Sequence, residues 1–203
     1  TCALPISVIT SAHQDGSVIE DLTLTATGQV TSSDVDSGAT ATYSGNATGT
    51  YGSFAVTAAT GQWTYTLDNA NHQNLAQGET HTESFSVTVT DDQGATATQA
   101  VQITITGTND AALITGADAG SVTEDWWTFK AGGSQYAKGT LTVTDVDTGE
   151  NAFQPVANLN GQYGSFTFDN STGAWSFATN AAAQRSATCF AAPATAAATS
   201  YAP

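Results

Sequence analysis

Residues 101–110 read VQITITGTND, and this stretch decides the fold class. Apolar and polar residues alternate from Val101 to Thr106, so one face of an extended segment is apolar and the other can contact water. The alternation predicts a half-buried β-strand. A glycine then interrupts the pattern, and Asn109 and Asp110 follow. Because Asn and Asp favour turns, this pair marks the point where the chain leaves one domain and enters the next.

Length and composition agree with an all-β chain of two domains. The 203 residues include 19 Gly and no Met, and Thr and Val are abundant. The formal net charge is -15, from 18 acidic and three basic residues. A basic face is needed to neutralise phosphate, so nucleic acid is excluded as a partner, and divalent cations are the natural counterions. No segment approaches the roughly 18 to 20 apolar residues that span a bilayer.

Residues 1–106 hold seven segments of this alternating kind, separated by turn residues. That number of short strands predicts a β-sandwich of immunoglobulin-like size. The segments lie at residues 16–19, 22–26, around Tyr43, and at 54–56, 63–67, 85–89 and 101–105.

The pattern then restarts at domain length. Residues 120–125 repeat 16–21, residues 145–149 repeat 34–38, and residues 161–166 and 172–175 repeat 49–54 and 60–63. A period of this size predicts tandem domains rather than a solenoid of short units. The expected division is a leader or foreign sequence at 1–11, a complete repeat at 12–110, a partial repeat at 111–180, and an irregular Ala- and Thr-rich tail at 181–203. The last two strands of the second copy are expected to be missing.

Several ordered motifs carry a resemblance to a known family. They are VIED at 18–21, DVDSG at 34–38, TYGSF at 50–54, GQWTYTLDN at 61–69, TDDQG at 90–94 and ITGTNDA at 105–111. Together they resemble the VCBS repeat, a cadherin-like module of large bacterial RTX-type surface adhesins. The resemblance implies tandem cadherin-like sandwiches, secretion or display on the bacterial surface, and a role in cell adhesion and biofilm. Ala112 departs from the family, which usually has Pro there, as does an insertion at residues 126–138.

Acidic residues fall where strands end. In a seven-strand sandwich, loops after odd strands lie at the far end of a domain and loops after even strands lie at the near end. Three groups therefore converge on the joint between the copies: Glu20 with Asp21, Asn109 with Asp110, and Asp145 with Asp147. Ca²⁺ takes 6 to 8 oxygen ligands in irregular geometry, and this set predicts a calcium site.

An equivalent half-site is expected at the near end of the first copy. Asp34 and Asp36, with Asp91 or Asp92, would face a preceding module. The alternative is that each of these residues is an ordinary turn residue, since Asp bonds its own backbone.

Aromatic residues offer a second kind of site. Trp63 and Tyr65, which recur as Trp175 and Phe177, alternate like core residues and are expected to be buried rather than to form a sugar platform. Adjacent Trp126 and Trp127 differ, because neighbouring strand residues face opposite ways and one ring should be exposed. This pair is the candidate ligand-contact surface.

No catalytic motif accompanies these residues. His13, His72 and His81 lack a nucleophile or metal spacing, and the acids lie in polar loops rather than in a cleft. The sequence therefore predicts a structural spacer of a secreted or cell-surface bacterial adhesin, not an enzyme, with calcium that rigidifies the joints between repeats. Its expected partners are neighbouring repeats and a host-surface or matrix ligand. The alternative is a carbohydrate- or protein-binding module.

Overall fold

A computed structural model describes residues 7–35, 38–122 and 136–180. The chain divides into two compact units between Asn109 and Asp110. Strands account for nearly all the regular structure in the described residues, and the helix among them is a short 3-10 turn at Asn69–Asn71. The predicted all-β class is confirmed.

The described residues of the first unit form ten strands. They are β1 (Val8–Ile9), β2 (Gln14–Ile19), β3 (Thr25–Gln29), β4 (Ser32–Ser33), β5 (Ala41–Ser44), β6 (Ala47–Thr48), β7 (Gly52–Val56), β8 (Gln62–Leu67), β9 (Thr80–Asp91) and β10 (Thr96–Thr106).

Two four-stranded sheets form a sandwich. One has the order β2-β10-β9-β5 and the other β3-β8-β7-β6, while β1 and β4 pair separately. The strand predicted from residues 101–106 belongs to β10. It pairs in parallel with β2, so that Val101 lies opposite Gln14 and Thr106 opposite Ile19. This parallel pairing brings the end of β2 beside the end of β10.

The alternation along the strands builds the core. Every second residue of β9 and β10 points inward, so Phe85, Val87 and Val89 lie on the same inner sheet face as Val101, Ile103 and Ile105. Phe54 stacks on Phe85 with ring centroids 4.7 Å apart. Trp63 lies against two glycines, since a Cβ at Gly28 would stand 2.4 Å from the indole and one at Gly16 would stand 3.0 Å from it. Glycine at these positions makes room for the ring.

Two stretches differ from the sequence prediction. Residues 22–26 alternate like a strand, but Leu22 is 74% exposed and Leu24 is also exposed. The N–H groups of Leu22 and Thr23 both donate to the Ile19 carbonyl, which makes a tight turn, and β3 begins only at Thr25. The module also starts earlier than residue 12, because β1 pairs with β4 and Ile9 packs against the core.

The second unit contains five described strands in one sheet of order β11-β12-β15-β14-β13. Their bounds are β11 (Leu113–Gly116), β12 (Tyr136–Thr144), β13 (Leu159–Asn160), β14 (Gly164–Asp169) and β15 (Ala174–Thr179). Counterparts of β9 and β10 are not among the described residues of this unit. The predicted tail at 181–203 lies outside the described residues.

The internal repeat is visible in the hydrogen bonds. Val30 donates its N–H to the Gly61 carbonyl at 2.9 Å, and Leu141 donates to the Gly173 carbonyl at the same distance. Gly61 and Gly173 share the left-handed conformation that closes this turn, with φ of 70° and 68°. Gly139 lies against Trp175 as Gly28 lies against Trp63. The two units therefore have the same hydrogen bond, the same turn glycine and the same glycine–tryptophan contact at matching positions.

A buried polar network fixes one corner of the first unit. The Tyr65 hydroxyl donates to Glu83 Oε2 at 2.7 Å, and the Thr50 and Tyr51 N–H groups donate to Glu83 Oε1. Burial and the hydrogen bond to Glu83 raise the pKa of Tyr65 well above its ordinary value. The second unit has Phe177 at the corresponding position, where a hydroxyl partner is not needed.

We expect Glu83→Ala to lower the free energy of unfolding by about 1 to 3 kcal/mol, because it leaves the buried Tyr65 hydroxyl without its acceptor. Tyr65→Phe removes that hydroxyl, so adding it to Glu83→Ala should recover part of the loss. A double-mutant cycle from urea denaturation measures this coupling. Strictly additive losses would show that the two side chains do not depend on each other.

Candidate functional site

Glu20 lies at the far end of the first unit, beside the exit of β10. Its side chain is fully buried, and its N–H donates to the Thr106 carbonyl at 3.0 Å. The Thr108 N–H donates to Glu20 Oε2 at 3.0 Å, and the Thr108 hydroxyl donates to the Glu20 carbonyl. These contacts follow from the parallel pairing of β2 with β10. They place Glu20 next to residues 106–108, directly before the Asn109–Asp110 pair beside which the sequence predicts it.

Asp21 is the next residue, and it faces a different set of partners. It has a left-handed backbone with φ of 57°, and its N–H donates to Asn69 Oδ1 at 2.9 Å. Asn69 and Gln73 donate to Asp21 Oδ1 at 2.6 and 3.0 Å. These hydrogen bonds, that of Asn69 first, lower the pKa of Asp21 below its ordinary value. Asn69 and Gln73 were missed in the sequence, where nothing connects them with Asp21.

The second unit begins with an acidic turn. The Asp110 N–H donates to Asp147 Oδ2 at 2.9 Å, and the Asp147 N–H donates to Asp145 Oδ1 at 3.0 Å. The Asp147 side chain is 1% exposed, and its buried Oδ1 has no hydrogen-bond partner among the described residues. A buried carboxylate oxygen is normally hydrogen-bonded or bound to a cation. This oxygen is the strongest sign of a cation in the unit.

Glu150 adds a fourth carboxylate residue to this end of the second unit, after Asp110, Asp145 and Asp147. Partial burial and the neighbouring charges of Asp147 and Asp145 raise the pKa of Glu150 above its ordinary value. The first copy has Ala39 at the corresponding position. Glu150 was missed in the sequence, although it directly follows the DVDTG motif.

The near end of the first unit carries the equivalent acids. Asp34 follows β4 and accepts a hydrogen bond from the Ser7 hydroxyl at 3.2 Å. Asp91 ends β9, and its Oδ1 accepts the N–H groups of Gln93 and Ala95, while its buried Oδ2 has no partner among the described residues. Asp92 is exposed in the following turn, and Asp36 lies outside the described residues.

The turn interpretation explains only part of these contacts. Asp91 and Asp145 do bond backbone N–H groups within their own turns. It does not account for the second oxygens of Asp91 and Asp147, which are buried and have no donor within the described part of the chain. Carboxylate and amide oxygens are hard ligands of the kind that Ca²⁺ takes, so the donor chemistry fits calcium. Within residues 7–35, 38–122 and 136–180, however, no group of three or more His, Cys, Asp or Glu side chains is arranged to hold a metal ion.

The aromatic predictions divide into two outcomes. Trp63, Tyr65, Trp175 and Phe177 are all buried, so the prediction that they are core residues is confirmed. Trp126 and Trp127, the predicted contact pair, lie outside the described residues.

The histidines take part in local contacts. His13 Nε2 lies 3.0 Å from Asp15 Oδ1, and His81 Nε2 lies 2.8 Å from Glu79 Oε1. The rings of His72 and His81 both pack against Tyr51, with centroids 4.9 and 4.7 Å away. Among the described residues, no helix is long and apolar enough to cross a membrane.

The all-β architecture gives the fold class of the chain, which is the cadherin-like β-sandwich. Residues 7–107 match the family model of the bacterial cadherin-like domain. This match covers the first unit and supports the broader part of the predicted resemblance; the VCBS repeat itself stays a prediction.

Solved structures share the fold. Protocadherin Gamma B2 extracellular cadherin domains 1–5 align with 88% of the chain at 17% identity and a TM-score of 0.50. PcdhgB3 EC1–4 aligns with 88% at 20% identity and a TM-score of 0.52. The chain spans 33% and 42% of these two proteins, respectively. Identities this low show the fold alone, and no curated protein matches the chain.

Proposed function

We propose that the chain supplies structural spacer modules of a secreted or cell-surface bacterial adhesin, with Ca²⁺ binding at the ends of its modules. The family match of residues 7–107 supports an adhesion-related, extracellular module. A formal net charge of -15 supports a cation-dependent one, because such an excess of acids repels itself unless cations screen or bridge it. The module would hold a distant binding domain away from the cell and take part in adhesion and biofilm. No enzymatic activity is proposed.

The observation that carries the calcium proposal is the Asp147 carboxylate. One oxygen accepts the Asp110 N–H, and the other is buried without a hydrogen-bond donor among the described residues. Leaving a charged oxygen unsatisfied in the interior is costly, whereas a bound cation would satisfy it. The Asp145 and Glu150 charges next to it strengthen the attraction for a cation.

The residues that would hold Ca²⁺ come from both sides of the Asn109–Asp110 boundary. Glu20, Asp21 and Asn109 belong to the first unit, and Asp110, Asp145 and Asp147 belong to the second. Asn109 and Asp110 are consecutive, so one peptide bond ties the two sets together. When bound, the ion would supply positive charge and fix the carboxylates. Asp34, Asp36, Asp91 and Asp92 would serve a preceding module in the same way.

A calcium titration followed by amide NMR tests the proposal. Extracellular modules bind Ca²⁺ at roughly 10⁻⁴ to 10⁻³ M, so millimolar calcium should shift the signals of the Asp110 and Asp147 N–H groups. Asp147→Asn keeps the size of the side chain but lowers its charge, and it should weaken the response severalfold.

Asp169→Asn is the matched control, since this exposed carboxylate in the same unit bonds only its own turn. It should leave the titration unchanged. The proposal fails if calcium does not shift the two amides, or if Asp147→Asn titrates like the unchanged chain.

A further inference from the structure

The outer face of the second unit carries a groove. Three rows of residues cross the strands β12, β15 and β14 on this face. The rows are Tyr136, Ala178 and Ser165; Lys138, Ser176 and Thr167; and Thr140, Ala174 and Asp169. Small residues on the central strand lie between longer ones on its neighbours. The second and third rows line an open depression of about 660 Å³, whose lining includes Lys138, Thr140, Thr167, Asp169, Ala174 and Ser176. The row of Tyr136, Ala178 and Ser165 lies beside this depression.

In the first unit, three strands pair in the same way as β12, β15 and β14, but they carry different side chains. Its corresponding rows on β3, β8 and β7 are Thr25, Thr66 and Ser53, then Thr27, Thr64 and Ala55. The third row has Gln29 and Gln62. Larger residues therefore fill the central strand where the second unit has Ala178, Ser176 and Ala174. The side chains of the central strand therefore differ between the two units, although the strand pairing is the same.

Two substitutions give the groove a chemical character. Tyr136 and Lys138 stand where the first unit has Thr25 and Thr27. Tyr136 is 60% exposed, and the Lys138 ammonium lies 5.9 Å from the centre of its ring. An exposed ring offers an apolar surface with a polar tip.

Lys138 is the one Lys or Arg side chain among the described residues. In a chain with 18 acidic residues, it forms no ion pair with any described carboxylate. Its charge is therefore available to an anionic ligand.

The opposite end of the groove is negative. Asp169 accepts hydrogen bonds from the hydroxyls of Ser171 and Thr172, and these lower the pKa of Asp169 below its ordinary value. A carboxylate on a ligand would be repelled there and attracted to Lys138. The hydroxyls of Thr167 and Ser176, 2.7 Å apart on the groove floor, can donate to or accept from further hydroxyls.

We propose that this groove binds a short oligosaccharide that carries carboxylates, of the uronic-acid class. A sugar ring would lie over the Ala174 methyl group, its hydroxyls would meet Ser176 and Thr167, and its carboxylate would meet Lys138. The distance between the backbones of β12 and β14 is about 10 Å, twice the spacing of neighbouring strands, which accommodates one sugar chain. The binding does not require calcium and is separate from the spacer function.

The test uses the full chain in 150 mM NaCl and EDTA, where long-range repulsion is screened and calcium is absent. Tetragalacturonic acid is titrated and followed by NMR, with its fully methyl-esterified form as the neutral counterpart. We expect the acid to shift the signals of Tyr136, Lys138 and Ser176, and the ester to bind at least tenfold more weakly. That factor corresponds to one charge-assisted hydrogen bond.

Three variants complete the test. Lys138→Gln should weaken binding about tenfold, and Thr27→Gln, the same substitution position in the first unit, should have no effect. Ala174→Gln with Ala178→Thr fills the groove with the residues of the first unit and should abolish binding, with circular dichroism checking the fold. The proposal is wrong if the acid does not bind, if the ester binds equally well, or if the filled groove still binds. Because calcium is absent throughout, none of these results bears on the spacer function.

Discussion

Trp63→Ala is expected to lower the free energy of unfolding of the first unit by about 3 to 5 kcal/mol, as truncation of a large buried aromatic residue does. The indole is 1% exposed and stacks on Phe54 with ring centroids 5.7 Å apart. Its Nε1 donates to Gln14 Oε1 at 3.1 Å. Gly16 and Gly28 make room for this ring, so the substitution leaves a cavity in the core. Urea denaturation followed by circular dichroism measures the loss.

Leu22→Ala is the matched control for Trp63→Ala. It removes a large apolar side chain from the same unit, but Leu22 is mostly exposed in the turn after β2. Its loss should stay within about 0.5 kcal/mol. A comparable loss for the two variants would contradict the description of the core, and a loss below about 0.5 kcal/mol for Trp63→Ala would mark the ring as a surface platform.

Calcium removal is expected to have the second largest effect. A cation that binds the folded state alone stabilises it by about 2.7 kcal/mol at a hundredfold excess over its Kd. Without it, the carboxylates of Asp145, Asp147 and Glu150 repel one another at one end of the second unit. We therefore expect the melting temperature to be higher in millimolar Ca²⁺ than in EDTA.

Asp145→Ala/Asp147→Ala provides the control for calcium removal. The double variant removes two proposed ligands and part of the repulsion, so its melting temperature should respond little to calcium. An equal rise in the double variant and the unchanged chain would show that calcium acts elsewhere.

The sequence predicts a strand of the first unit well where that strand is paired on both sides along its sheet, as β10 is with β2 and β9. In β10, strict alternation reflects one buried and one solvated face, and the structure confirms it. Alternation fails at Leu22 and Leu24, because a tight turn at Ile19 to Thr23 takes these residues out of the sheet. The strand β1 was missed, since its two residues are too few to show any period.

The candidate site is predictable where chain topology alone decides it. Glu20 lies beside residues 106–108 because β2 ends next to β10, and this could be inferred from the order of the strands. The partners of Asp21 could not be inferred in this way. Asn69 and Gln73 reach it from 48 and 52 residues away through a short 3-10 turn, whose position depends on side-chain packing. The hydrogen bonds that Glu83 accepts could not be predicted from the sequence for the same reason.

The central claim is that calcium stiffens the connection between successive modules. Small-angle X-ray scattering of the full chain in EDTA and in millimolar Ca²⁺ tests it most directly, because it measures the range of distances within the molecule. The account predicts that calcium increases the maximum dimension and narrows the distribution of distances, and that Asp145→Ala/Asp147→Ala abolishes the change. Identical scattering of the unchanged chain with and without calcium would contradict it.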